Sequence, residues 1–117
     1  MDKLTKTFGR HFLVELIGCP EERISYVTDV KPVLLKAAEV SRATVVEHYF
    51  KQYEPRGVTG IILIAESHFS VHTWPESGFA AFDVLTCGEM MPEKAIELIA
   101  EEFGARDVKQ QMIVRGY

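Results

Sequence analysis

The alternation of hydrophobic and polar residues along the chain predicts six strands and two helices. Between Arg10 and Ile17, apolar residues occupy every second position, which is typical of a half-buried strand. Between Val30 and Val40 the apolar residues recur at helical spacing instead, and Pro32 is tolerated because it falls in the first turn. A second helix is predicted from Pro92 to Phe103, with Gly104 as its C-terminal cap.

The remaining strands follow from β-branched, aromatic and continuously apolar runs. The run from Gly60 to Ala65 is apolar on both faces, which indicates a central position in a sheet. The others are predicted at Ala43–Tyr53, Phe69–Trp74, Phe79–Thr86 and Asp107–Val114. The order β-α-β-β-β-β-α-β predicts an α+β fold: a two-layer sandwich in which a mainly antiparallel sheet carries both helices on one face. We expect one domain over residues 1–117, with the open sheet face covered by a second copy of the chain.

Composition and charge narrow the classes of function. The net charge is −4 and the chain has no cluster of Lys and Arg, which argues against nucleic acid as a partner. No apolar run approaches the roughly 20 residues that span a bilayer, and residues 1–7 lack the apolar core of a secretory signal. Cys19 and Cys87 are far apart without metal-ligand spacing, so we expect free thiols, no metal site and a cytoplasmic location.

Polar residues of catalytic type are concentrated in the most apolar part of the chain. They are Thr59, Glu66, Ser67, His68, His72, Glu76, Asp83 and Cys87. Any one of them alone is more often structural than functional. Buried polar groups are costly unless they are paired, however, so their combination among buried strands favours an active site.

Hairpin geometry predicts how these residues pair. If Pro75 to Gly78 forms a turn, Ser67 lies opposite Thr86 or, within one residue of register, Cys87. A Ser67–Cys87 pair is therefore expected.

A second hairpin, turning near Glu66, would put Ile61 opposite His72. Thr59 would then lie two positions further along, within diagonal reach of the imidazole. A Thr59–His72 pair is therefore expected.

The two pairs do not meet in one straight strand. Ser67 and His72 are five residues apart, which corresponds to roughly 16 Å, and they point to opposite faces. Either the strand bends sharply or His72 acts on Ser67 of another protomer, and the second alternative is favoured.

Several motifs resemble those of the prokaryotic S-adenosylmethionine decarboxylases, which are pyruvoyl-dependent proenzymes. The most specific are Glu66-Ser67-His68, His72-Thr73-Trp74-Pro75-Glu76 and Thr86-Cys87-Gly88. Gly9-Arg10-His11 and Pro55-x-Gly57-Val58-x-Gly60 also match, so the resemblance covers essentially the whole chain.

The resemblance implies that the chain cleaves itself between Glu66 and Ser67, giving fragments 1–66 and 67–117. Ser67 would become a covalent pyruvoyl cofactor, which forms a Schiff base with the substrate amine. His72 would remove the α-proton of residue 67 during processing, and Thr59 would stabilise the oxyoxazolidine intermediate. Cys87 would return a proton to the α-carbon of the substrate. A homodimer with shared active sites is also implied.

The chain departs from the family pattern at two places. Thr59 stands where a serine is usual, which keeps the hydroxyl and adds a methyl group. The segment that commonly reads Phe-His-x-Phe is here Phe50-Lys51-Gln52-Tyr53, so Tyr53 becomes the aromatic residue expected to stack on adenine.

Three functions remain to be weighed. The resemblance favours decarboxylation of S-adenosylmethionine, which supplies the aminopropyl donor for spermidine synthesis. The alternative is a pyruvoyl-dependent decarboxylase of arginine or ornithine, which needs a carboxylate deep in its pocket. Tyr53 favours the nucleoside, whereas Glu76, expected to bind substrate, and Asp83 suit either. A non-enzymatic partner protein is disfavoured because it would have no chemical reason to keep Ser67, His72 and Cys87 together.

Overall fold

The computed structural model describes residues 6–117; residues 1–5, most of the segment considered as a signal sequence, lie outside it. The strands are Thr7–Ile17 (β1), Val45–Gln52 (β2), Val58–Ile64 (β3), Ser67–Trp74 (β4), Phe79–Thr86 (β5) and Asp107–Gly116 (β6). The helices are Glu21–Ile24 (α1), Val27–Val40 (α2) and Pro92–Glu102 (α3), and Pro75–Ser77 forms one 3₁₀ turn. No helix of residues 6–117 is long and apolar enough to cross a membrane.

All six strands form one antiparallel sheet in the order β2-β3-β4-β5-β1-β6. The α+β class and the two long helices are confirmed. The short helix α1 was not expected, because a single turn is too short to show hydrophobic periodicity. Helix α2 also begins three residues before Val30, so that Pro32 lies inside its second turn rather than its first.

The core lies between one face of the sheet and the helices. Alternate residues of the central strands are buried there, among them Phe69 and Val71 of β4. They join Leu34 of α2 and Ile99 of α3 in one continuous apolar cluster. The alternation seen in the sequence is therefore the alternation between core and open face.

The opposite face of the sheet has no covering layer in the described chain. It exposes Ile61, Leu63 and Trp74, each at 40–45% of its surface. His68, His72 and other polar side chains lie beside them on the same face by strand alternation. This uncovered side of the sheet, which carries Ile61, Leu63, Trp74, His68 and His72, is called the open face below.

The register of the two hairpins around β4 was predicted correctly in one case and wrongly in the other. Ser67 pairs with Thr86, the first of its two expected partners. The expected Ser67–Cys87 pair is wrong, because in this register Cys87 lies one residue beyond the ladder and bonds to Glu66 instead. Ile61 pairs with Ser70 rather than with His72, because the chain reverses within Ala65 and Glu66, one residue earlier than assumed. The tighter turn shifts the register by two positions.

Truncating the centre of this core should be strongly destabilising. Phe69→Ala removes a fully buried ring from β4, and we expect the free energy of unfolding to fall by about 3–5 kcal/mol. Val46→Ala, on the edge strand and 65% exposed, should cost no more than about 0.5 kcal/mol. Urea unfolding measures both values, and equal losses would contradict the assignment of the core.

Candidate active site

The peptide bond predicted to break lies in the turn between β3 and β4. The carbonyl oxygen of Glu66 accepts a hydrogen bond from the backbone N–H of Cys87 at 3.1 Å. The Cys87 thiol donates to the same oxygen, with 2.9 Å between Sγ and O. Two donors therefore converge on the one carbonyl at which charge would develop if Ser67 attacked it.

Neighbouring groups fix the side chain of Glu66. Its carboxylate accepts from the backbone N–H of Thr44 at 3.2 Å and from the Thr44 hydroxyl at 3.4 Å. A Cβ atom at Gly88 would lie 2.5 Å from Cγ of Glu66, so glycine at this position leaves room for the side chain. Ser67 itself has a φ of 156°, which residues with side chains rarely adopt. The predicted cleavage site is thus held and locally strained.

The predicted Thr59–His72 pair is formed. Thr59 lies directly opposite His72, and its Oγ1 is 3.0 Å from His72 Nδ1. The predicted diagonal contact is therefore a direct cross-strand pair, which the two-position shift of register explains.

Thr59 and His72 line a cavity of about 320 Å³ at the far end of β4. Tyr53 and Glu76, the residues predicted to bind substrate, line the same cavity. The other residues that line this cavity were not selected from the sequence as substrate-binding: Arg56, Gly57, Thr73, Trp74 and Pro75. Arg56 also pairs with Glu21 at 2.7 Å.

The two groups of predicted residues do not meet within one chain. One half-site consists of Glu66, Ser67 and Cys87 at the start of β4. The other consists of the cavity around His72, on the open face near the end of the same strand. β4 pairs continuously with both neighbours from Ser67 to His72, so no sharp bend brings the two half-sites together.

A third polar cluster lies on the open face between them, around the carboxylate of Asp83. His11 Nε2 is 2.6 Å from Oδ2 of Asp83, and His68 Nε2 is 3.3 Å from the same oxygen. The Ser70 hydroxyl donates to Oδ1, and Arg115 Nη1 is 3.2 Å from His11 Nδ1. Burial raises the pKa of Asp83, but the hydrogen bonds from His11, Ser70 and His68 outweigh it, so the pKa is lowered overall.

Part of what sequence reasoning missed was within its reach. The hairpin register that puts Ser67 opposite Thr86 also puts Ser70 opposite Asp83, and one residue beyond the ladder Glu66 faces Cys87. The contribution of His11 had no such signal, because β1 and β5 are joined by no local turn.

Comparison with known proteins agrees with the motifs. The family model described as S-adenosylmethionine decarboxylase matches residues 10–116. The S-adenosylmethionine decarboxylase proenzyme of Pyrococcus furiosus is 45% identical over 111 residues, covering 94% of this chain and 80% of that protein. The proenzyme of Moorella thermoacetica is 42% identical over 112 residues, covering 95% and 90%.

A solved structure gives the same result for the fold. The adenosylmethionine decarboxylase of Aquifex aeolicus superposes with a TM-score of 0.90 at 35% sequence identity, covering 96% of this chain and 93% of that one. Because the family model covers nearly the whole chain, and relatives above 40% identity cover it to the same extent, the chain belongs to the S-adenosylmethionine decarboxylase family.

Proposed function

We propose that the chain is a proenzyme that cleaves itself between Glu66 and Ser67 and then decarboxylates S-adenosylmethionine. The product would serve as the aminopropyl donor for spermidine synthesis. Family membership supports the reaction, and the paired donors on the Glu66 carbonyl support the cleavage. That contact is the observation that carries the proposal.

Processing begins at the strained turn. Ser67 Oγ attacks the carbonyl carbon of Glu66, and its hydroxyl proton passes to the nitrogen of residue 67. The C–N bond then breaks, and an ester replaces the peptide bond. The charge that develops on the Glu66 oxygen is stabilised by the N–H and thiol of Cys87, which already point at it.

Elimination then separates the two fragments. A base removes the α-proton of residue 67, and the Cβ–Oγ bond breaks with the Glu66 carboxylate as the leaving group. Water hydrolyses the resulting dehydroalanine, ammonia is released, and residue 67 is left as a pyruvoyl group.

His72 is the base in this scheme, and Thr59 orients it. If His72 Nδ1 donates its proton to Thr59 Oγ1, the lone pair of Nε2 is free to accept the α-proton. The hydroxyl hydrogen of Thr59 then remains free to donate to the oxyoxazolidine oxygen. The methyl group that distinguishes threonine from serine does not prevent this pair from forming.

The active sites are shared in a homodimer that forms through the open face. A two-fold axis lying in the interface and perpendicular to β4 reverses the strand. It brings the His72 half-site of each protomer to the Ser67 half-site of its partner. Exposed Ile61, Leu63 and Trp74 supply apolar surface for such an interface.

The pyruvoyl group, when formed, supplies an electron sink for the electrons released as CO₂ leaves. Ser67 can become this group because the Glu66 carbonyl, which its hydroxyl would attack, is already held by Cys87. The same Cys87 thiol, which contacts the carbonyl that precedes residue 67, would return a proton to the substrate α-carbon. No metal enters this mechanism, and the cytoplasmic location remains a prediction.

The cavity favours a nucleoside over a basic amino acid. Tyr53 and Trp74 are both about half exposed at its wall and offer aromatic faces for adenine, while Glu76 can accept hydrogen bonds from ribose hydroxyls. Asp83, considered as a partner for a distal cation, does not line this cavity, and its carboxylate already accepts three donors. Among the residues that line the cavity, only the Glu76 carboxylate could therefore pair with the distal cation of arginine or ornithine.

Self-cleavage is tested by mass spectrometry. The purified protein should consist of fragments 1–66 and 67–117, with the second blocked at its N-terminus and reactive towards hydrazines. Ser67→Ala should remain intact and inactive because no hydroxyl is left to form the ester. Ser77→Ala, in the exposed turn after β4, is the matched control and should cleave normally. An intact wild-type chain with full activity would contradict the proposal.

Exchange of half-sites is tested by complementation. Neither Ser67→Ala nor His72→Ala alone should process normally. Co-expressed, they should regain partial processing, because one heterodimer site pairs the intact Ser67 of one chain with the intact His72 of the other. Cleavage of the His72→Ala chain, measured by mass, is the readout. Absence of cleavage in isolated heterodimers would return both residues to a single chain.

Substrate choice is tested by CO₂ release. S-adenosylmethionine should be decarboxylated at least about a hundredfold more efficiently than arginine or ornithine. Tyr53→Leu should raise the KM for S-adenosylmethionine by about tenfold, since stacking on adenine is lost. Tyr117→Leu, at an exposed position outside the cavity, should leave it unchanged. A preference for either amino acid would reverse the assignment.

A further inference from the structure

The cluster around Asp83 is not used by the mechanism above. The Asp83 carboxylate lies on β5 and joins His11 on the strand to one side to His68 and Ser70 on the strand to the other. The side chains of His11, Asp83 and His68 are 18%, 22% and 29% exposed, so they are largely shielded even before any partner covers the open face. Because His68 directly follows Ser67 in the chain, the position of the cluster suggests a function.

Two histidines and an aspartate also have the composition of a metal site, with their ligand atoms within 4.8 Å of one another. The hydrogen-bond donors around these side chains do not suit a metal site. A metal-binding histidine normally donates its second ring N–H to an acceptor, whereas Arg115 offers only N–H donors to His11 Nδ1. Nδ1 must therefore accept, and the ring proton lies on Nε2, where it donates to Asp83. The cluster is a hydrogen-bond network that ends on a carboxylate.

His68 connects this network to the reacting residue. It directly follows Ser67 and is bonded to it through the backbone. Before cleavage, residue 67 is held on both sides, by Glu66 and by His68. After cleavage it is the first residue of a chain, and chain ends fray unless they are tied down. The Asp83–His68 contact is then the first side-chain anchor available to the new end.

We propose that Asp83 is a positioning residue that acts through His68 to keep residue 67 in register after cleavage. This inference rests on the proposed function. Loss of the Asp83–His68 contact should impair turnover, because residue 67 is then the free end of the second fragment. It should not affect self-cleavage, because residue 67 still lies within the uncleaved β3–β4 hairpin at that stage. Arg115 and His11 support it by fixing the orientation of the carboxylate from the other side.

Paired substitutions at His68 test the proposal. His68→Leu removes the donor, whereas His68→Gln keeps an N–H group at a similar reach. In fully processed protein, we expect His68→Leu to lower kcat by about tenfold to a hundredfold through misplacement of residue 67, with KM changed by less than about threefold. His68→Gln should recover most of kcat. Cleavage should proceed at the wild-type rate in both.

Hydrogen exchange separates positioning from general folding. The amides of residues 68–71 should exchange faster in processed His68→Leu than in processed wild type. In the uncleaved Ser67→Ala background, His68→Leu should have no such effect. Asp83→Asn should behave like His68→Leu, with Asp107→Asn on the exposed edge strand as its matched control.

The outcomes are distinguishable. Equal kcat for the leucine and wild-type proteins, or a glutamine variant as impaired as the leucine variant, would overturn the inference while leaving the decarboxylase intact. Loss of wild-type turnover with EDTA, restored by Zn²⁺, would replace the network by a metal site. A processed wild-type protein that releases no CO₂ from S-adenosylmethionine would instead refute the proposed function.

Discussion

The pairing of β4 with β3 and β5 positions Thr59, Glu66, Ser67, His72 and Cys87, the residues proposed for processing and protonation. Two tight reversals, at Ala65-Glu66 and at Pro75–Gly78, set its register. Because side chains alternate between faces, a slip of one residue would exchange the core side chains of β4 with those of the open face. The fully buried Phe69 makes such a slip costly. The packing of the core therefore also fixes which atoms meet at the site.

The features that follow from local geometry could be predicted from the sequence. Periodicity gave the six strands and both long helices, and the turn at Pro75–Gly78 gave the Ser67–Thr86 pair. The predicted register of the β3–β4 hairpin was wrong by two positions. Its turn at Ala65-Glu66 contains neither glycine nor proline and therefore carries no strong sequence signal. Contacts between strands distant in sequence, such as His11 with Asp83, depend on tertiary pairing and could not be derived.

The polar network across the open face raises a question of energetics. Three donors satisfy the Asp83 carboxylate, so covering it by a second protomer would leave no carboxylate oxygen without a hydrogen-bond partner. A well-packed apolar replacement would serve folding at least as well, since buried polar clusters seldom improve stability over apolar packing. The network around Asp83 lies between the two half-sites and includes His68, so we infer that it serves the reaction and not the stability of the fold.

The geometry of β4 has a consequence for control. Under the proposed exchange, one rigid strand carries the nucleophile at one end and the base near the other, and no monomer can complete its own site. Dimerisation is concentration-dependent, so cleavage would be limited to chains that have folded and found a partner. The reactive carbonyl of the pyruvoyl group would then form only inside an assembled interface, which would shield it from water and from amines other than the substrate. The straightness of the strand, which separates Ser67 from His72, is in this view what couples activation to assembly.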